Sequence, residues 1–329
     1  MKKKSLLPSG KRLLIFLLVL TISTGSSGCQ KSAKKHSCDF YDLFDTFSNF
    51  TCYGLDDESF GRIKDGLYDL LLSFHQETDI YHSYPEIANL KDLNDSTGIS
   101  PLDLSPRLIR FLSFCKDAYE ISDGKVNVMI GALTSLWHEA RETKSLPDES
   151  LLREAATLTD FSFLSIDPDA STAYITDPAA SIDVGALAKG YAGRLALEYL
   201  AEEGVENYIL SLGGNICVHG KPLGTGRDAF VVGLQDPDGP DGTYNETVSL
   251  TDGCVVTSGD YQRYFEVDGI RYHHIIDPMT LYPAAYHHSV TVICDDSALA
   301  DLLSTTLFLM DEKEGSPLAE QFNAKVIYK

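Results

Sequence analysis

AYITDPAASIDVGALAKGYAGRLALEYLAEEGVENYILSLGGNICVH, residues 173–219, holds the pattern that decides the fold. Ala173–Thr176 reads as a short strand, Ala186–Glu203 as a helix, and Tyr208–Ser211 and Ile216–His219 as two further strands. Downstream the strand-like runs continue at Ala229–Leu234, Thr247–Leu250, Gly253–Thr257, Tyr264–Val267 and Ser289–Cys294. Turn signals separate them, including Asp236-Pro237-Asp238-Gly239-Pro240 and Asp268-Gly269. Helical spacing recurs over Ser59–Thr78, Pro106–Ile121 and Ser297–Met310. Hairpins mixed with helices indicate an α+β domain rather than a regular βαβ series.

Charge narrows the function. Residues 1–28 hold five of the 27 basic residues and none of the 48 acidic ones, so the remainder carries 22 against 48, or −26. A body that acidic is no general nucleic-acid binder, because phosphate binding needs a basic face. The leader has a basic start (Lys2–Lys4, Lys11, Arg12) and an apolar run, Leu13–Ile22, too short to span a bilayer. Small residues then precede Cys29, the order of an export signal and similar to a bacterial lipoprotein box. The expected organisation is an export signal at 1–28, a polar tether at 29–37 and one domain at 38–329. Cys29 is the expected lipid anchor, placing the protein on the extracytoplasmic face of the membrane. The other six cysteines show no C-x-x-C or zinc spacing and read mainly as small buried hydrophobes.

Four constellations can carry chemistry. In Ser181–Ala192 an extended segment ends in glycine and enters a helix, where backbone amides favour an anion; Asp183 could accept from a ring N–H or ribose hydroxyl, and Lys189 could reach a phosphate. A packing turn capped by Asp183 explains the same residues. Leu210–Asn215 holds two glycines in a strand pattern, which suggests close backbone approach or a bulge. Thr257–Tyr264 precedes His273-His274; adjacent strand histidines point to opposite faces, so one meets a site and the other core or solvent. His274 is the candidate for proton transfer, against a merely structural histidine. Asp301 and Thr305 stand one helical turn apart and offer two oxygens to a hard cation such as Mg²⁺, although a solvated helix face has the same spacing.

Together, IDVGALAKGYA, SLGGN, TSGDYQRY with HHIIDPMT, and ALADLLST occur in the order found in the ApbE family of FAD:protein FMN transferases, which this chain resembles from about Asp45 to Met310. Asp123–Ala132, leading into Leu136-Trp137-His138, looks like a fifth block. The resemblance implies a T-fold-like architecture of mixed and antiparallel strands with packed helices, binding FAD in a cleft beside Mg²⁺. It implies transfer of FMN to a Thr or Ser hydroxyl of an acceptor protein, with release of AMP. The implied metal ligands are Asp301, Thr305 and the main-chain carbonyl of Ala186, with Ser304 as a weaker candidate. The implied flavin-nucleotide contacts are Asp183, Lys189, Lys125, Val126, Asn127, Ile275, Ser258 and Gly259. Tyr81 or Tyr84 is the stacking aromatic, and His274 acts on the acceptor hydroxyl. FAD hydrolysis to FMN and AMP, or flavin binding without chemistry, are the alternatives.

Some positions depart from the family pattern. Asn127 stands where many members have Asp, and Met129 where many have Thr or Ser. Phe44-Asp45-Thr46 replaces Met-Gly-Thr. Leu281 replaces the Gly of DPxTG, and its Cβ argues against positive φ in that turn.

Overall fold

The computed structural model describes residues 33–240 and 242–329, so the predicted leader and Cys29 lie outside the described residues. A seven-stranded antiparallel sheet forms the centre, with strands adjacent in the order they occur in the chain. They are β1 (Lys35–Leu43), β2 (Thr46–Tyr53), β3 (Tyr208–Leu212), β4 (Asn215–His219), β5 (Asp252–Gly259), β6 (Ser289–Cys294) and β7 (Lys325–Tyr328). Strand β1 already contains Lys35–Ser37, so the tether expected to run to residue 37 is shorter and the fold begins before residue 38. The two glycines of SLGGN form no bulge. They are the two-residue turn between β3 and β4, where Leu212 pairs with Asn215 and both φ are positive, 57° and 96°. Such turns match the right-handed twist of the strands they join.

Alternation within the strands gives the sheet two apolar faces. Cys217, Cys254, Val256, Val290 and Val292 pack on α5 (Ser297–Phe308). One residue out of phase, Val255 and Ile293 pack on the hairpin Phe230–Gln235/Tyr244–Leu250 through Val232, Leu234 and Val248. The largest core joins Phe50 of β2 and Leu210 of β3 to α1 (Asp57–Thr78), α2 (Pro106–Ile121) and α4 (Ala188–Glu202). Ile63, Leu67, Leu71 and Phe74 form the buried stripe of α1, and Asp56 caps it by accepting from Ser59 N at 2.8 Å. Ser105 caps α2 with Pro106 at its first position, which needs no N–H there. Between α2 and α4 lies α3 (Gly131–Thr143), and α6 (Glu312–Gln321) precedes β7.

The contact that builds the site is α4 against α5. Nearly every residue of α5 is buried, so the solvated-face reading of Asp301 and Thr305 does not hold. Gly190 and Gly193 let the helices approach. A Cβ on Gly190 would collide with Asp301 Cβ and lie 2.8 Å from Ser297 O, and one on Gly193 would strike the Ser297 side chain. Periodicity missed β1, β2 and β7 and several helices, α3 and α6 among them. Among the described residues no helix is long and apolar enough to cross a membrane.

Candidate active site

Segment 125–131 runs beside 181–183: Asp183 N donates to Val128 O at 2.8 Å and Gly131 N to Ser181 O at 3.1 Å. The Asp183 carboxylate accepts from Thr134 Oγ1 of α3 at 2.8 Å and from Gly185 N at 2.9 Å. Leu187 N and Ala188 N both donate to Val184 O, closing a tight turn into α4. Gly190 is the third residue of α4, so its N–H is one of the helix-start donors with no acceptor inside the helix; it donates to Asp301 Oδ2 at 2.6 Å. Among the described residues no hydrogen bond ends on the half-buried Ala186 O.

Asp301 is 4% exposed. Burial raises its carboxyl above the usual carboxylate range, against the opposing pull of the Lys189 charge and the Gly190 N–H. One turn later Thr305 Oγ1 lies 3.3 Å from Ser258 Oγ, which is itself 2.9 Å from Ser304 Oγ. Ser304 is fully buried and also donates to Asp301 O at 3.1 Å, so its hydroxyl is engaged within the protein. The Asp301 carboxylate, Thr305 hydroxyl and Ala186 carbonyl are hard oxygens of the kind Mg²⁺ takes, with water and substrate completing the set. Ala186 O, which accepts no hydrogen bond within the described residues, is available as such a ligand. Among the described residues no group of three or more His, Cys, Asp or Glu side chains is placed to hold a metal ion.

The two histidines diverge as strand alternation requires. His273 ends the hairpin Tyr264–Val267/Ile270–His273 and is 6% exposed. Its Nδ1 accepts from Ile275 N at 3.2 Å, which leaves Nε2 to donate to Ala284 O at 2.7 Å. That makes it structural. His274 faces the other way and is exposed to solvent, although protein atoms crowd around its ring. That crowding, followed by the charges of Arg263 and Lys189, pushes its imidazole down to about 3. Lys189 therefore acts on both Asp301 and His274.

Asp79 organises the two candidate tyrosines. Its carboxylate accepts from Tyr81 N at 2.7 Å, His82 N at 3.1 Å and the Tyr84 hydroxyl at 2.7 Å. Burial alone would raise this acid, but those donors hold it below the usual range. Tyr84 is thus half-buried and anchored. Tyr81 is 53% exposed, with its ring stacked on His138 and its hydroxyl 3.3 Å from His138 Nδ1. The negative charge of Asp183 helps push the Tyr81 phenol up to about 12, after burial.

Other predicted contacts are engaged within the protein. Val126 is a core residue, and Asn127 Nδ2 donates to Thr159 O at 2.7 Å while its Oδ1 accepts from Met129 N at 2.9 Å. Ile275 is buried with both backbone polar groups bonded. Any flavin contact at Val126 or Asn127 is left to the backbone. Lys125 Nζ lies 3.5 Å from Glu314 Oε1 on α6, and Gly259 is held close to the Tyr261 ring. Leu281 corrects the expectation for its turn, since it adopts φ +66°. Its N–H donates to Asp277 O at 2.8 Å, its carbonyl accepts from Trp137 Nε1 at 3.0 Å, and its side chain packs on the Trp137–Ile276 cluster. These contacts offset the roughly 1–2 kcal/mol that a left-handed residue costs.

Sequence reasoning assigned no role to the Gly190 N–H, Thr134, His138 or Arg263. The signals available were a glycine near the start of a helical pattern at 190 and the blocks that contain His138 and Arg263.

The ApbE family pattern matches residues 47–328. The chain belongs to the ApbE family. Among its curated ApbE-type relatives, the FAD:protein FMN transferase of Klebsiella pneumoniae is 32% identical over 235 residues, 71% of this chain and 72% of that protein. The FAD:protein FMN transferase of Treponema pallidum is 31% identical over 268 residues, 78% and 74% of the two chains. The solved ApbE protein of Thermotoga maritima superposes with a TM-score of 0.77 at 26% identity, covering 90% of this chain and 94% of its own. The Vibrio cholerae flavin transferase ApbE, at 24% identity and a TM-score of 0.73, shows the same fold over 90% of this chain and 93% of its own. The antiparallel sheet with packed helices is thus the ApbE architecture.

Proposed function

We infer that this chain is an Mg²⁺-dependent FAD:protein FMN transferase. It moves FMN from FAD to a Thr or Ser hydroxyl of an extracytoplasmic redox protein and releases AMP. The observation that carries this reading is the helix-start Gly190 N–H, which holds the buried Asp301 carboxylate beside Lys189, next to an Ala186 carbonyl that accepts no hydrogen bond within the described residues. When bound by Asp301, Thr305 and Ala186 O, Mg²⁺ supplies charge neutralisation to the pyrophosphate.

The chain's own residues position the reactants. Lys189, at the start of α4, attracts phosphate as a point charge, and the adjacent helix N-terminus favours the same anion. Asp183, held by Thr134 and Gly185, presents a fixed acceptor to the nucleotide. Anchoring by Asp79 gives Tyr84 the preorganised ring that a stacking platform needs, while Tyr81 flanks it. His274, neutral in the free protein, is a weak base there. The negative charge of FAD beside it raises its affinity for a proton. It then receives the acceptor hydroxyl proton as oxygen bonds the FMN phosphorus and the bond from that phosphorus to the AMP oxygen breaks. The proposed location is the outer face of the membrane, tethered by lipid at Cys29.

Incubation with FAD, Mg²⁺ and a candidate acceptor fragment tests the reading: acceptor mass increases by FMN and AMP appears. FMN and AMP with unlabelled acceptor would show hydrolysis instead, and intact FAD would overturn both reactions. A second measurement addresses the flavin platform. Tyr84→Ala loses most of the quenching of bound flavin fluorescence while Tyr81→Ala keeps it; the reverse result would reassign the platform to Tyr81.

A further inference from the structure

Three cysteines lie directly opposite one another across neighbouring strands: Cys217 on β4, Cys254 on β5 and Cys294 on β6. Cys217 and Cys254 are fully buried, and their sulfurs are 3.3 Å apart. Opposed residues on antiparallel strands have Cα atoms about 4.5–5.5 Å apart, within the roughly 4.4–6.8 Å that a disulfide spans. Side-chain rotation can therefore bring the sulfurs together without separating the strands. Cys294 is turned elsewhere, its Sγ donating to Asp296 O at 3.3 Å. Cys38 and Cys52 are out of register on β1 and β2, opposite Phe50 and His36, and Cys115 lies alone in the α2 core.

We propose that Cys217 and Cys254 are a cross-strand disulfide site, filled when the chain folds in the presence of a thiol-exchanging disulfide. The Cys217 thiolate attacks the oxidant R–S–S–R and releases R–S⁻. Cys254, after losing its proton, attacks the resulting mixed disulfide and releases the second R–S⁻. Overall the two protein thiols lose two electrons and two protons, and R–S–S–R becomes two R–SH. In the folded protein both sulfurs are sealed beneath α5, so exchange occurs before β4 and β5 are covered or during an opening of that face. The site is independent of the flavin chemistry proposed above.

Refolding the protein from denaturant with oxidised and reduced glutathione tests this. The expected product is about 2 Da lighter than the fully reduced chain, yields one Cys217–Cys254 peptide, and melts roughly 5–10 °C higher until dithiothreitol is added. Cys217→Ala removes the bridge and Cys38→Ala retains it. If both thiols still alkylate after unfolding, or the bridge involves Cys294 instead, the proposal is wrong. Because the wild-type mass and peptide map decide the matter, a variant that folds poorly does not blunt the test.

Discussion

Asp301→Asn lowers Mg²⁺-dependent turnover by about 10³-fold or more, the equivalent of roughly 4 kcal/mol in the transition state. The substitution keeps the volume and an oxygen to accept the Gly190 N–H, so α4 and α5 stay in contact. It removes the one anionic oxygen donor of the proposed ligand set. It also removes a buried carboxylate whose charge is disfavoured by desolvation, so the variant without metal melts no lower than the wild type. The measurement is turnover against Mg²⁺ concentration, paired with the thermal shift that Mg²⁺ produces. Loss of activity together with loss of the shift is expected. An unchanged Mg²⁺ dependence would remove Asp301 from the metal site.

His274→Ala lowers turnover by roughly 10²–10⁴-fold, the range for a positioned acid–base group. Its ring retains solvent contact and is not part of a core cluster, so stability changes little. FAD affinity also changes little, because the residue acts on the acceptor hydroxyl. The pH dependence follows from the surroundings of the ring. Held down to about 3, His274 stays neutral in the free protein while the unfolded chain takes up a proton near 6.5. The unfolded state binds more protons between those values, so this residue's contribution to stability falls as pH drops from about 6.5 toward 3. Histidine NMR on the free protein should show no titration of this ring between pH 8 and 5, and addition of FAD should move its midpoint upward. A free-protein midpoint near 6.5 would contradict the crowding and nearby cations described for it.

Legibility of the site differed among its members. Asp301 and Thr305 were readable because both belong to one helix and four residues is one turn. Their burial was not, because spacing carries no information about what packs on a face. The pair His273-His274 was half readable: alternation demanded opposite faces, but only Ala284, Ile275 and Phe308 show which ring is inside. Leu281 was misread because the cost of its φ is local while the Trp137 contacts that offset it come from a helix more than a hundred residues earlier. Asn127 was read as a flavin contact, and its side chain instead caps a short turn and binds Thr159 O. Short-range sequence offered no sign of that partner.

The sequence by itself determined the α+β class, the extents of α1, α2, α4 and α5, the turn at Asp268-Gly269, and the blocks that mark the ApbE family. These depend on periods of two and 3.6 residues and on backbone chemistry that acts within a few positions. Only the tertiary structure decided the chain-order sheet, the pairing of Gly190 N–H with Asp301, the inward turn of His273 and the meeting of Cys217 with Cys254. Each depends on segments distant in sequence being brought into register, as when the free helix-start N–H of Gly190 meets a carboxylate 111 residues away. Local patterns specify elements, whereas long-range packing and strand pairing select which of their polar groups remain available for chemistry.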